Sequence, residues 1–199
     1  VHGILIQLPL PDHIEKNKVL DCVDKNKDVD GFNIFNMGAI SLNREPNFYP
    51  CTPLGCIEIL KFYNIDVEGK HIVVIGKSQI VGLPLSLMLM NLGATVSVCD
   101  DKTIEIKEIT KTADLLFVAC GCPNLVTEEW IKEGVIIIDI GINKIDDQTT
   151  ARGYKLVGDV DFEAVKDKAS FITPVPGGVG PMTIAMLMKQ TVKACINAS

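Results

Sequence analysis

Val73-Val74-Ile75-Gly76-Lys77-Ser78-Gln79-Ile80-Val81-Gly82 reads as an apolar strand that runs into a glycine turn and then into a helix. An unbroken apolar run is what a parallel strand covered on both faces requires. Gly76 supplies the backbone freedom of a tight corner, and the helix after it begins with N–H groups that have no intrahelical partner. Such a corner is the first βα turn of a dinucleotide site, where N–H groups meet the pyrophosphate. The spacing is G-x-S-x-x-x-G, not G-x-G-x-x-G. Taken alone, it also fits an ordinary βα loop.

The chain around the corner strengthens the first reading. From Glu68 onward short apolar strands alternate with helical stretches. Strands are predicted at Ile72–Ile75, Thr95–Cys99, Leu115–Ala119, Val135–Asp139 and Phe171–Pro174. Helices are predicted at Val81–Leu92, Ile104–Thr112, Thr127–Lys132 and Asp161–Lys168. That alternation implies parallel pairing with right-handed crossovers, hence a doubly wound α/β sheet, Rossmann-like, with its ligand beyond the carboxyl ends of the strands.

Residues before Glu68 lie outside the run. Val1–Leu8 is expected to be a strand ending at Pro9-Leu10-Pro11, and Ile14–Val23 has helical spacing. Gly31 to Cys51 reads as loop. Thr52-Pro53 is expected to cap a helix through Tyr63, with Pro at its first position. One strand and two helices do not close a core. The expectation is therefore a first α/β domain, residues 1–52, whose N-terminal part is absent and which a helix over 181–199 rejoins. Residues 53–180 would hold a linker helix and the dinucleotide-binding domain. The first residue is Val, not Met, which fits a missing N-terminal segment.

The chain has 199 residues, 47% of them hydrophobic, and a net charge of -6. The charge argues against a general binder of nucleic acid or anionic membrane, and the apolar runs are too short to span a bilayer. Seven cysteines form no zinc spacing and no disulfide framework. Buried thiols in a reducing compartment are expected, with no metal site.

Several short stretches carry chemistry. Pro174-Val175-Pro176-Gly177-Gly178-Val179-Gly180-Pro181-Met182-Thr183 combines rigid prolines with glycines in a turn expected to open a helix at about Met182. Asp100 and Asp101 follow the second strand, where an acid bonds the adenosine ribose and disfavours a 2′-phosphate. Lys77 pulls the other way; solvated loop charges are the plain alternative for all three. Gly141-Ile142-Asn143 ends a strand where a cofactor would lie, or is a simple turn. Gln7, in an apolar strand, needs partners for its amide, either backbone or ligand. In Asp28-Val29-Asp30-Gly31, a carboxylate either bonds its own turn or faces a ligand.

Together these stretches resemble the bifunctional methylenetetrahydrofolate dehydrogenase/cyclohydrolase family. The likeness is carried by Gln7-Leu8-Pro9-Leu10-Pro11, Lys27-Asp28-Val29-Asp30-Gly31-Phe32, Pro50-Cys51-Thr52-Pro53, the Gly76–Gly82 corner, Gly141-Ile142-Asn143, Gly158-Asp159-Val160-Asp161 and Ile172 through Thr183. It covers essentially the whole chain. It implies a folate cleft between two domains and a hydride transfer from 5,10-methylenetetrahydrofolate to NADP or NAD. Hydrolysis of the methenyl product to 10-formyltetrahydrofolate would follow.

By the same resemblance Gln7 and Asp30 are catalytic, Gln7 orienting a lysine and Asp30 pairing with the pterin. Ile6, Gln7, Leu8, Asp30, Pro176, Gly177, Gly178, Val179, Gly180 and Thr183 would contact folate. Gly76, Lys77, Ser78, Ile80, Val81, Gly82, Asp100, Asp101 and Ile142 would contact the cofactor. A homodimer in the cytoplasm or a mitochondrion is implied too.

Two features depart from the family pattern. Its Tyr-x-x-x-Lys motif does not occur: Tyr49, Tyr63 and Tyr154 are followed four residues on by Pro53, Val67 and Gly158. The family often has a His-Ser-type pair where this chain has Asp100-Asp101, and Arg where it has Lys77, which favours NAD over NADP. A monofunctional NAD-dependent dehydrogenase and a non-catalytic nucleotide-binding product are the alternatives.

Overall fold

The structure is a computed structural model and describes residues 1–198. The first part of the chain forms α1 (Lys16–Asp21), α2 (Ile34–Ser41) and α3 (Cys51–Phe62). Then come β1 (His71–Ile75), α4 (Gly82–Asn91), β2 (Thr95–Cys99), α5 (Ile106–Thr110), β3 (Leu115–Val118) and a 3₁₀ turn at Glu128–Trp130. After it follow β4 (Ile136–Asp139), β5 (Asn143–Asp146), β6 (Tyr154–Val157), α6 (Phe162–Val165), β7 (Phe171–Ile172) and α7 (Val179–Asn197).

Five strands pair in the order β2-β1-β3-β4-β7, every neighbour parallel. The chain leaves β1 for β2 on one side and crosses back to β3 on the other. The crevice for a ligand therefore opens beyond the carboxyl ends of β1 and β3. Strand side chains alternate between faces. Ile72, Val74, Leu115, Phe117 and Ile138 pack with Cys56, Leu60, Leu85 and Leu89 of α3 and α4. Val73, Ile75, Leu116, Val118 and Ile137 pack on the other face with Trp130, Ile131 and Val165. Burial of each such aliphatic side chain contributes about 1.5–3 kcal/mol, and the two covered faces explain why β1 is apolar throughout.

The structure corrects five expectations. Val1–Leu8 is not a strand. Ile4 makes one isolated parallel bridge to Asp28, with no second strand alongside to extend the ladder. The segment after Gly31 is not all loop. The Asn33 side chain accepts from Phe35 N–H and caps α2. Pro53 is the third residue of α3, where its missing N–H costs no helical bond, and Thr52 gives no cap. α7 starts at Val179, earlier than Met182. Cys22, Cys122 and Cys195 are exposed, against the expected burial. One element went unforeseen: β5 and β6 pair as an antiparallel hairpin outside the main sheet.

α7 packs along α3 and ties the two ends of the chain together. Gln190 of α7 is buried. Its amide nitrogen donates to Val29 O and Tyr49 O, each at 2.8 Å, and its oxygen accepts from Tyr49 N–H at 2.8 Å. Among the described residues no helix is long and apolar enough to cross a membrane.

Candidate active site

The corner after β1 is built by backbone touching backbone. Gly76 has φ +104°, and its N–H donates to Cys99 O at the end of β2, 2.8 Å away. A Cβ on Gly76 would lie 2.2 Å from Ala119 O, and one on Gly82 would lie 1.8 Å from Gly76 O. α4 thus sits directly on the corner, and the corner on the end of β3. Ser78 braces the turn, its Oγ accepting from Val81 N–H at 3.2 Å. This close-packed strand–turn–helix corner at the switch point of the sheet fits the pyrophosphate of a dinucleotide.

The charged residues beside the corner pair with each other. Lys77 forms an ion pair with Asp100 Oδ2. That hydrogen bond pulls the Asp100 carboxyl below its ordinary range and pushes Lys77 up. Asp100 Oδ1 also accepts from Lys102 N–H at 3.1 Å and Thr103 Oγ1 at 3.2 Å. Asp101 is exposed. Ile142, 58% exposed beyond the end of β4, faces Gly180: its Cδ1 is 3.4 Å from where a Cβ on Gly180 would stand.

Facing the corner is a cleft of about 340 Å³. Its lining includes Ile6, Gln7, Leu8 and Asp30, Ile80 and Val81 of the corner, Thr52 of α3 and Thr183 of α7. Thr52 and Thr183 share a hydrogen bond of 3.0 Å. Gln7 is exposed, not buried in a strand as its sequence implied, and donates to Leu8 O at 3.0 Å.

The two acids of Asp28-Val29-Asp30 have separate roles. Asp28 is buried and holds its own loop, accepting from Asn33 N–H at 2.7 Å and Asn36 Nδ2 at 2.8 Å. Asp30 opens into the cleft. Burial pushes its carboxyl up to about 6, against hydrogen bonds from Cys51 that pull it down. Burial pushes the Cys51 thiol up as well, with the Asp30 charge adding to it.

Not every residue of the proline-glycine segment meets this cleft. Gly177 and Gly178 line a separate cavity of about 710 Å³, beside Phe62, Tyr63 and Phe171. Pro176 is exposed and lines neither cavity. Val179 is a core residue at 3% exposure, so its side chain has no surface to offer a substrate. The reason is the early start of α7, which turns Val179 toward α3 and the sheet. Sequence reading missed Thr52, Cys51 and Gln190 as parts of the site. No sequence signal singled out Gln190, since Lys189, Thr191 and Lys193 are polar neighbours in the same helix.

The comparisons agree with this geometry. The family model described as tetrahydrofolate dehydrogenase/cyclohydrolase, NAD(P)-binding domain, matches residues 50–199, and the catalytic-domain model of the same family matches residues 1–30. The bifunctional protein FolD of Campylobacter jejuni is 56% identical over 197 residues, covering 99% of this chain and 68% of that protein. A crystal structure of the C. jejuni enzyme superposes with a TM-score of 0.94, over 100% of this chain and 68% of that one. FolD of Trypanosoma brucei, solved with NADP and an inhibitor, is 40% identical with a TM-score of 0.94, over 99% of this chain and 67% of that one. The NAD-dependent 5,10-methylenetetrahydrofolate dehydrogenase of Saccharomyces cerevisiae is 26% identical with a TM-score of 0.75, over 99% and 70%. A parallel sheet with a glycine corner at its switch point, an acid across the cleft, and a matching sequence over both ends lead to one assignment: the chain belongs to the tetrahydrofolate dehydrogenase/cyclohydrolase family.

Proposed function

We propose that the chain carries the nucleotide site and one wall of the folate site of a methylenetetrahydrofolate dehydrogenase/cyclohydrolase. The observation that carries this reading is the single cleft shared by Gln7, Asp30, Ile80 and Val81. In it Asp30 accepts two N–H bonds from the amidine-like edge of a pterin, a bidentate geometry suited to a carboxylate. Gln7 stands at the mouth to orient a proton carrier. The Gly76–Gly82 turn holds the dinucleotide through backbone, and Ile142 packs beside it. NAD(P), when bound, supplies the hydride acceptor. Residues 1–52 with residues 181–199 would be the folate-side unit, and 53–180 the nucleotide unit.

The acids favour NAD. Lys77 is already committed to Asp100, which leaves Asp101 to oppose a 2′-phosphate. The same pair favours, as a second reading, a dehydrogenase confined to NAD like the yeast relative. A cytoplasmic homodimer remains part of the proposal.

The two half-reactions separate by their need for a proton carrier. Hydride transfer needs little acid–base help, whereas hydrolysis does. The 199 residues contain no Tyr-x-x-x-Lys. The purified 199 residues should therefore bind NAD, and NADP less well, while 5,10-methenyltetrahydrofolate is hydrolysed only at the uncatalysed rate. Enzymatic hydrolysis by these residues, or binding of neither cofactor, would contradict this reading.

A further inference from the structure

Two buried acids beyond the carboxyl end of the sheet have no part in the reading above. Asp139 ends β4 and Asp159 follows β6; they are 3% and 0% exposed. Asp139 Oδ1 accepts from Gly141 N–H and Asp159 N–H, each at 3.0 Å, and its Oδ2 from Val160 N–H at 3.0 Å. Asp159 Oδ2 accepts from Cys120 N–H at 2.7 Å and Gly121 N–H at 2.9 Å, and its Oδ1 from Asn143 Nδ2 at 2.7 Å. The acids act in series. Asp139 seats the segment that bears Asp159, and Asp159 then grips the turn after β3 and the start of β5. The grip is tight: a Cβ on Gly141 would lie 2.2 Å from Asp159 Cγ.

One gripped segment borders the nucleotide corner, and the other lies beside the start of α7. The β3 turn begins at Ala119, whose carbonyl oxygen is the atom a Cβ on Gly76 would strike. The β5 start follows Ile142, which faces Gly180. We propose that Asp159 is a positioning residue for the dinucleotide: through its carboxylate it fixes the Cys120–Gly121 turn against the Gly76 corner and ties that turn to Asn143 beyond β4, so that the crevice between β1 and β3 keeps the width a dinucleotide needs. This rests on the nucleotide reading of that corner. A buried carboxylate with three donors is a rigid strut, because losing it would strand two backbone N–H groups without partners.

The test is calorimetric titration of the chain with NAD and NADP, with thermal melting of each variant. Asp159→Ala should bind both dinucleotides about tenfold more weakly or worse. Asp159→Asn should recover most of that loss. Its amide oxygen can accept from both N–H groups, and its NH₂ can donate to Asn143 once that amide turns over. Asn143→Ala cuts only the link to β5. It should weaken binding severalfold with a smaller fall in melting temperature than Asp159→Ala, and it keeps the test decisive if Asp159→Ala fails to fold. Parent-like affinity in Asn143→Ala and in every folded Asp159 variant overturns the inference while leaving the nucleotide reading intact. A parent chain that binds neither dinucleotide overturns both.

Discussion

A carboxylate half-buried beside a thiol keeps its proton to higher pH than one in water, and Asp30 is in that position. Its folded value is raised from 3.8 to about 6. Between those values the native state holds a proton that the unfolded state has lost, so stability falls as pH rises through the window, and the full cost is present above about 6. Asp139 is raised to about 6 by burial and contributes in the same direction. Folate binding runs the opposite way, because the ionised carboxylate is what accepts the pterin N–H groups. Folate affinity should climb as pH rises through about 6, and the step should vanish in Asp30→Asn. Titrations across that window check it; an identical step in Asp30→Asn would assign the proton to another group. At this scale the sequence showed which residues matter better than what each does. Asp28 and Asp30 were indistinguishable until the fold placed one on its own loop and the other in the cleft, and Gln7 looked buried because its partners along the chain are apolar.

The corner between β1 and α4 is the element on which the nucleotide site depends. Gly82→Ala should push α4 off Gly76, because the new Cβ would meet Gly76 O at 1.8 Å and backbone has little room to yield. The expected cost is about 1–3 kcal/mol in urea unfolding, together with loss of dinucleotide binding. Parent-like values of both would mean that the helix start is not held against the corner. The elements legible in sequence were those with both faces buried: β1, β3 and β4 are apolar runs with no competing pattern. β2, with Thr95 and Val98 exposed, was legible as well because it falls in the strand–helix alternation, whereas α2, β5 and β6 lie outside any such pattern. β5 carries charges on alternate residues, Asn143-Lys144-Ile145-Asp146, and β6 is only four residues with Lys155 in it, and α2 leaves Ile34 and Phe35 exposed at 65% and 66%, so its apolar residues define no buried stripe. Val1–Leu8 erred in the other direction. Apolar content suits a strand, but a ladder needs partners that composition does not report.

At the scale of the whole molecule, the cleft exists because the two ends of the chain meet. α7 lies along α3, and Gln190 joins the backbone just before Asp30 and just before Cys51 to the C-terminal helix. No local pattern reveals that contact, since its partners stand 141 and 161 residues apart. The doubly wound sheet was readable from alternation alone; the wall it faces was readable only through the family resemblance. The account stands on one claim, that Asp30 anchors folate across the cleft from a nucleotide corner that does not need it. Titrating the protein and Asp30→Ala with 5,10-methenyltetrahydrofolate and with NAD measures this directly. Folate binding should weaken by about 2–5 kcal/mol, the loss expected for one partner of a buried charged pair, while NAD binding stays the same. Unchanged folate affinity in Asp30→Ala, or equal weakening of both ligands, would contradict it.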